Sequence, residues 1–224
     1  MKRYCIVAVM VVLALAFTAF LQASDAEEST CDKASITFDN DFFYKEDGTF
    51  DPEKARDAYI ALMECHGYPV FDGMKEKIWV SDYGTGQFAK LGLGAYCFIN
   101  DEKGGYLGQD MFLLPNQMLP EHYHIKTEKP AKMEGWHVRH GMAYVYGEGE
   151  PTKNMKAVIP QCHMNGTVTV QHETILKEGQ TAVLERETAR HWMFGGPEGA
   201  VVSEYGRYHD NAGVVHSDPK LVFP

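Results

Sequence analysis

The sequence predicts a mainly β protein in which one N-terminal helix precedes a single antiparallel β-barrel. After Gly73, short runs rich in aromatic and β-branched residues recur roughly every ten residues and are separated by Gly, Pro, Asn and Asp. Residues 51–67 form the one segment with strong helix signals at both ends, and no internal repeat is visible. About 200 residues remain after the N-terminal leader, enough for one core and most simply one domain.

The leader, residues 1–23, has the pattern of a secretory signal peptide. Lys2 and Arg3 precede an apolar run that ends near Leu21, and we expect cleavage after Ala23. An uncleaved membrane anchor is the alternative, because the run approaches the length that spans a bilayer. With cleavage, the protein is expected to be periplasmic or extracellular and to keep no stable membrane association.

The charge balance excludes a nucleic-acid partner. The formal net charge is −10, and it becomes about −12 when Lys2 and Arg3 leave with the leader. No basic patch remains that would follow a phosphate backbone. The four cysteines of the mature chain permit two disulfides in three connectivities. We favour a Cys31–Cys65 pair, and free buried thiols are the alternative.

The helix is preceded by a polar lead-in, residues 24–50. Asp51 suits the N-cap, Pro52 the first turn, and Gly67 the end of the helix. Helical spacing predicts a buried face formed by Ala55, Ala58, Tyr59, Leu62 and Met63. The later apolar runs, KAVIP and TVTVQHETILKEG among them, are predicted strands, and 151–154 and 160–166 are predicted longer loops.

A metal site is predicted from the pair His122-x-His124. Residues two apart on a strand project to the same side, about 7 Å apart along the chain. Glu134, in a later alternating run, and His191, before an aromatic run, add a carboxylate and a third imidazole. Such a set suits Mn, Fe, Zn, Ni or Co. Glu128 is the rival carboxylate, but the Pro130 that follows it favours a loop.

This order of ligands resembles that of the cupins, which form a single jelly-roll type barrel. Within the cupins, residues from about Phe50 to Pro219 resemble the D-lyxose isomerases, which are metal-dependent sugar isomerases. The matching blocks are VSDYGTG, FLLPNQMLPEHYH, KMEGWHVRHGMAYVYGEGE, VTVQHETILKEG, ARHW and GPEGAVVSEY. The resemblance implies a cupin-type sugar isomerase domain over residues 51–224, the four ligands above, and manganese as the preferred metal.

The implied reaction interconverts D-lyxose and D-xylulose, or D-mannose and D-fructose, by moving one proton between C2 and C1. A divalent ion would stabilise the enediolate that forms on the way. Glu204, in VVSEY, matches the carboxylate that shuttles the proton in the family. Trp136 and Trp192 are expected to wall the sugar, and Arg139 to balance charge in the pocket.

Two positions depart from the family pattern. Gln109 stands where the family has a lysine that points at the substrate, and residues 208–211 replace an Arg-Asp pair. Lys126 or Arg207 is expected to supply the missing positive charge. The remaining histidines fall in polar or loop contexts and are expected to be solvated: His163, His172, His209 and His216.

Two other functions remain open from the sequence. One is an exported sugar- or metal-binding cupin that has lost turnover, consistent with Gln109. The other is an iron-dependent cupin dioxygenase, which O2 consumption would distinguish. Cupin barrels often pair into homodimers, but no residue of this sequence decides its oligomeric state.

Overall fold

The computed structural model describes residues 32–223. The predicted signal peptide, the start of the lead-in and the Cys31 half of the predicted disulfide lie outside the described residues. Within residues 32–223, no helix is both long enough and apolar enough to cross a bilayer. Cys65 is disulfide-bonded, whereas Cys97 and Cys162 are free thiols.

Helix α1 (Pro52–Cys65) begins and ends where the sequence predicts. The Asp51 carboxylate accepts hydrogen bonds from the backbone N–H groups of Glu53, at 3.0 Å, and Lys54, at 3.5 Å. It therefore satisfies donors that the first turn leaves without helical partners. All five residues of the predicted apolar face are buried. A second, single-turn helix, α2 (Met74–Lys77), follows Gly73, whose φ is 78°.

The described part of the lead-in is packed rather than loose. It forms two 3-10 turns, Lys33–Ile36 and Asn40–Phe43. The Phe43 side chain is fully buried, and its ring lies 4.7 Å from that of Phe88. Aromatic residues within this polar stretch thus join the core beside α1.

Within the described residues, nine strands form one antiparallel sheet. They are β1 (Trp79–Ser81), β2 (Leu93–Asp101), β3 (Tyr106–Leu113), β4 (Met118–His124), β5 (Glu134–Gly147), β6 (His172–Lys177), β7 (Thr181–Val183), β8 (His191–Arg207) and β9 (Val214–His216). Their order is β1-β2-β3-β8-β4-β9, and β5 pairs with β6, β7 and β8. The predicted mainly β fold with an N-terminal helix is confirmed.

The two ends of this strand order meet, which closes the sheet into a barrel. The backbone N–H of Val222, after β9, donates to the carbonyl oxygen of Tyr83, after β1, at 3.0 Å. The rings of Tyr83 and His216 lie 5.3 Å apart at the same place. One apolar cluster fills the barrel, and a second lies between the outer face and α1.

Helix α1 lies close to the barrel because β2 carries a glycine beneath it. A Cβ atom at Gly94 would approach the ring of Tyr59 to 2.3 Å. The Tyr59 hydroxyl, fully buried, donates to Gln117 Oε1 at 2.8 Å. Burial of this aromatic ring, with its polar end satisfied, anchors the helix.

The segment 148–171 forms no strand, so the prediction for KAVIP was wrong, whereas the predicted run TVTVQHETILKEG is a strand in its second half, β6, and not over TVTV. Side chains rather than a neighbouring strand satisfy its backbone. The Tyr146 hydroxyl accepts from the N–H of Ala157 at 3.0 Å. The Glu121 carboxylate accepts from the N–H groups of Thr169, at 2.8 Å, and Val170, at 3.1 Å. Local apolar alternation does not reveal such partners.

Candidate metal centre and active site

Three strands bring the four predicted metal ligands to one place inside the barrel. His122 and His124 lie on β4, Glu134 begins β5, and His191 begins β8. Their ligand atoms all lie within 4.8 Å of one another. His122 and His191 are direct partners in the β4–β8 register, and their rings are 4.2 Å apart. The cluster is a possible metal site, and Glu134 rather than Glu128 belongs to it.

Backbone carbonyls orient two of the imidazoles. His122 Nδ1 donates to the carbonyl oxygen of Pro120, and His191 Nδ1 to that of Ala189, each at 2.9 Å. Because a carbonyl only accepts, Nδ1 carries the hydrogen, and in the neutral ring the lone pair lies on Nε2. Both lone pairs therefore point into the cluster. Burial, reinforced by His191 and His124, holds the pKa of His122 well below its usual value, which keeps that ring neutral.

The contacts between the ligand atoms of the cluster are unfavourable unless a cation lies among them. His191 Nε2 lies 2.7 Å from Glu134 Oε1, yet this nitrogen is buried and forms no hydrogen bond. A ring lone pair that faces a carboxylate is repulsive unless a cation lies between them. Burial opposes ionisation of Glu134, but Lys132 and the hydrogen bond from His124 outweigh it and hold its pKa well below the usual range. Three imidazoles and one carboxylate match the donor set of a divalent transition metal.

Glu204 lies beside this cluster on β8. Its carboxyl is buried, and its Oε2 accepts from Gln109 Nε2 at 3.3 Å. Gln109 and Glu204 are direct partners in the β3–β8 register, so both point inward. Burial, and then the Glu134 carboxylate, raises the pKa of Glu204 to about 7. A carboxyl with such a pKa exchanges a proton readily near neutral pH.

Lys132 is the residue that the sequence interpretation missed. Its side chain is buried, and its Nζ lies 2.6 Å from Glu134 Oε2 and in contact with Glu204 Oε1. Burial disfavours its charge, but these two carboxylates outweigh that effect and raise the pKa of Lys132. The ammonium therefore stays protonated between the metal cluster and Glu204. Its spacing was a usable signal, because Lys132 lies two residues before Glu134 and continues the same inward alternation.

We call the space around these groups the catalytic cup. Its volume is 40 Å³, and its polar wall consists of Gln109, His122, His124, Lys132, Glu204, His209 and His216. Trp79, Tyr83 and Phe223 are among its aromatic residues. The cup thus combines a site for one small cation with a buried carboxyl and an ammonium.

Known proteins show the same combination of sequence and fold. The chain is 34% identical over 169 residues to a D-lyxose ketol-isomerase of Cohnella laeviribosi, which covers 75% of this chain and 91% of the relative. It is 35% identical over 152 residues to a D-lyxose/D-mannose isomerase of Thermosediminibacter oceani, with 66% and 80% covered. The chain belongs to the D-lyxose ketol-isomerase family. No family model matches it.

Solved L-ribose isomerases share the fold of this D-lyxose ketol-isomerase family member. The enzyme from Cellulomonas parahominis aligns with a TM-score of 0.54 at 14% identity, over 80% of this chain and 95% of the other. That from Acinetobacter sp. DL28 aligns with a TM-score of 0.52 at 15% identity, over 75% and 82%. The predicted cupin-type barrel is confirmed.

The predicted substrate-binding residues separate into two groups in this family member. Gln109 lines the cup, and Trp136 lies 5.3 Å from the His191 ring, measured between ring centroids. Trp192 is fully buried, stacks on Tyr146 at 3.7 Å, and donates its indole N–H to the Val170 carbonyl. Its main contacts are therefore those of core packing.

Lys126 and Arg139 do not reach the cup, which corrects their sequence-based assignment. Both are exposed. Arg139 lies at the irregularity between Val138 and His140, where the inward and outward alternation of β5 is interrupted. Arg207 also lies outside, where its guanidinium pairs with Glu187. Lys132 is the buried cation that these three were expected to provide.

Three of the four histidines expected to be solvated are not. His163 is fully buried, and His209 and His216 line the catalytic cup. Burial lowers the pKa of both His209 and His216 to about 4, so both rings are neutral at physiological pH. His172 is exposed, as expected. For His209 and His216, the tertiary contacts of the C-terminal segment, which no local pattern contains, explain the difference.

Proposed function

We propose that this protein is a metal-dependent aldose–ketose isomerase that interconverts D-lyxose with D-xylulose and D-mannose with D-fructose. One observation carries the proposal: a buried carboxyl, Glu204, adjoins a cluster of three histidines and a glutamate, and it lines one small cup together with two of those histidines. The Thermosediminibacter oceani relative, whose name includes both D-lyxose and D-mannose, supports the choice of sugars.

His122, His124, Glu134 and His191 would hold the metal, and we propose manganese. The mixed nitrogen and oxygen donors suit this ion, as they also suit Zn, Fe, Co and Ni. When bound, a divalent ion supplies a Lewis acid that favours charge on the two sugar oxygens next to the reacting carbons. The fixed Nδ1–H donors of His122 and His191 keep their lone pairs aimed at this position.

Glu204 is the proposed proton shuttle. Its carboxylate would remove the proton from C2 of the open-chain aldose and return it to C1, acting first as general base and then as general acid. Gln109 and Lys132 each hold one oxygen of this carboxyl, so its orientation is fixed before the sugar arrives. Because the carboxyl is already oriented, it does not have to reorient during the reaction.

Lys132 would offset negative charge in the cup. During proton transfer the sugar passes through an enediolate, which adds negative charge beside Glu134 and Glu204. A buried ammonium at a fixed position stabilises that charge far more than a solvated one does. Lys132 thereby supplies the positive charge that the family's lysine carries at position 109 and that Gln109 does not. This favours an active isomerase over the non-catalytic sugar- or metal-binding cupin.

The proposal is tested by purifying the mature chain, loading it with Mn, and incubating it with D-lyxose and D-mannose. We expect xylulose and fructose by NMR, loss of activity on chelation, and its return with added Mn. O2 consumption should be zero, which separates an isomerase from a dioxygenase. Absence of ketose from both sugars in metal-loaded protein would refute the isomerase.

Export and homodimer formation are proposed as well. The leader pattern of residues 1–23 supports export, and the frequent pairing of cupin barrels supports a homodimer. Mass spectrometry of the native protein should show an N-terminus at Ser24. Light scattering should give twice the mass of the mature chain, and a monomer mass would exclude the dimer.

A further inference from the structure

A second, larger cavity adjoins the catalytic cup. Its volume is 410 Å³, and it shares four side chains with the cup: Trp79, Gln109, His209 and Phe223. It lies beside the part of β2 that follows Ala95. Ala95, which pairs with Trp79, is the last β2 residue with a partner on β1. Gln109 and His209 therefore lie between the cup that contains Glu204 and this outer cavity.

The outer cavity is larger than a simple sugar requires. The cup itself, at 40 Å³, has room for little more than the atoms around C1 and C2. The outer cavity, at 410 Å³, has about ten times the volume of the cup. The few carbons of a pentose or hexose beyond C2 leave much of that volume unfilled.

The lining of the outer cavity suits a sugar ring. The rings of Trp79 and Phe223 meet edge to face, 6.3 Å apart at 84°, and present apolar surfaces of the kind that pack against the C–H face of a sugar. Arg56, Asn100 and Asn211 add polar groups that can bond hydroxyls. Aromatic and polar groups thus both line the space.

His209, at the junction of cup and cavity, has an unused acceptor. Its Nε2 donates to Asn211 Oδ1 at 2.9 Å, so the neutral ring has its lone pair on Nδ1. That Nδ1 is buried and has no hydrogen-bond partner among the described residues. A buried polar atom without a partner is costly, and a sugar hydroxyl at this junction would satisfy it.

We infer that the outer cavity is a subsite for a second sugar residue, so that the enzyme isomerises the reducing end of 4-linked disaccharides. This inference rests on the proposed isomerase function. A substituent on O4 leaves C1 and C2 free to enter the cup. The proton that leaves C2 is returned to C1 as before, no glycosidic bond is broken, and no further reactant is consumed.

The test compares β-1,4-mannobiose with D-mannose as substrates of the Mn-loaded wild-type protein. Ketose formation at the reducing end is followed by NMR. We expect kcat/KM for mannobiose to be at least one tenth of that for mannose. Turnover of mannose with a mannobiose value below one tenth would overturn the subsite while leaving the isomerase intact.

A cavity-filling variant checks where the second residue lies. Cys97 lines the outer cavity, and Cys97→Trp should lower the mannobiose-to-mannose ratio of kcat/KM at least tenfold. The matched control is Val158→Trp, because Val158 is 78% exposed and lies in neither cavity. An unchanged ratio in Cys97→Trp would contradict the assignment.

If neither sugar is converted, the isomerase proposal fails, and binding then decides the subsite. Cys97 is an exposed free thiol, so its alkylation by a maleimide can be followed by peptide mass spectrometry. Mannobiose should slow this alkylation at least threefold more than mannose does at equal concentration. Equal rates with the two sugars would overturn the subsite on binding alone.

Discussion

Lys132 shows how much of the site chemistry depends on a single residue. Its ammonium contacts Glu204 and lies 2.6 Å from Glu134, and all three side chains are buried. Breaking a buried ion pair by removing one partner typically costs about 3–5 kcal/mol, because the other charge is left without compensation. Lys132 therefore stabilises the cup, because its positive charge offsets the repulsion between the two neighbouring carboxylates.

Removing the Glu204 carboxylate is the first residue-scale prediction. Glu204→Gln keeps the size of the side chain but cannot accept the C2 proton, so we expect kcat to fall by about 10²–10⁴-fold. Metal content, measured by elemental analysis, should stay at the wild-type level, since Glu204 is not among the four ligands. Full activity in this variant would end its assignment as the proton shuttle.

A charge exchange tests the second residue-scale prediction. Lys132→Gln should lower kcat/KM by about 100-fold or more, as the loss of a preorganised charge does at other active sites. Gln109→Lys alone should also lower activity, because it adds a second ammonium beside Lys132. The double variant should recover at least tenfold over Lys132→Gln, and failure to recover would show that position 132 does more than carry charge.

At the scale of elements, one network behind the cup aligns three strands. Glu121, Arg190 and Ser217 each neighbour in sequence a histidine of the metal-ligand cluster or of the cup, His122, His191 or His216, and so face the opposite side of their strands. Arg190 Nη1 lies 2.5 Å from Ser217 Oγ and 3.9 Å from Glu121 Oε1, and the Ser217 N–H donates to the Glu121 carbonyl at 2.9 Å. The Glu121 carboxylate also holds segment 148–171 through Thr169 and Val170. The positions of the candidate ligands His122 and His191 are thus fixed partly from outside the barrel.

Glu121→Gln should weaken metal binding without touching a ligand. The amide keeps one acceptor oxygen but loses the charge that three donors share, so we expect metal affinity to fall about 10–100-fold, as for other outer-shell partners. Competition with a chelator measures that affinity. Glu178→Gln serves as control, since the Glu178 side chain is 60% exposed. Equal metal affinity in the two variants would remove Glu121 from the positioning of the ligands.

For the whole molecule, metal binding should contribute to stability, because three ligand-bearing strands converge on one ion. At a free metal concentration 1,000 times Kd, binding adds about 4 kcal/mol. A protein of this size shifts Tm by about 2–4 °C per kcal/mol, so chelation should lower Tm by about 10 °C. His122→Ala should abolish the response of Tm to Mn, as read by scanning calorimetry, and an undiminished response would refute the ligand set.

The sequence by itself determined the features that depend on the conformation of a single helix or strand. Helix α1 was readable from Asp51 and the apolar spacing, and the alternation of a strand put His122 and His124 on one side. Glu134 and His191 were placed with them by their order along a β-rich chain. The predictions for α1 and for the His122–His124 pair needed only the conformation of one element, which short-range sterics and caps largely set.

Only the tertiary structure decided which distant residues face each other. Gln109 and Glu204 are 95 residues apart and meet because β3 pairs with β8 in one register. The β5 irregularity turns Arg139 out, and the C-terminal segment brings His209 and His216 to the cup. Register and strand order result from packing summed over the whole barrel, and a slip of one residue would reverse every side chain. No local pattern contains that information.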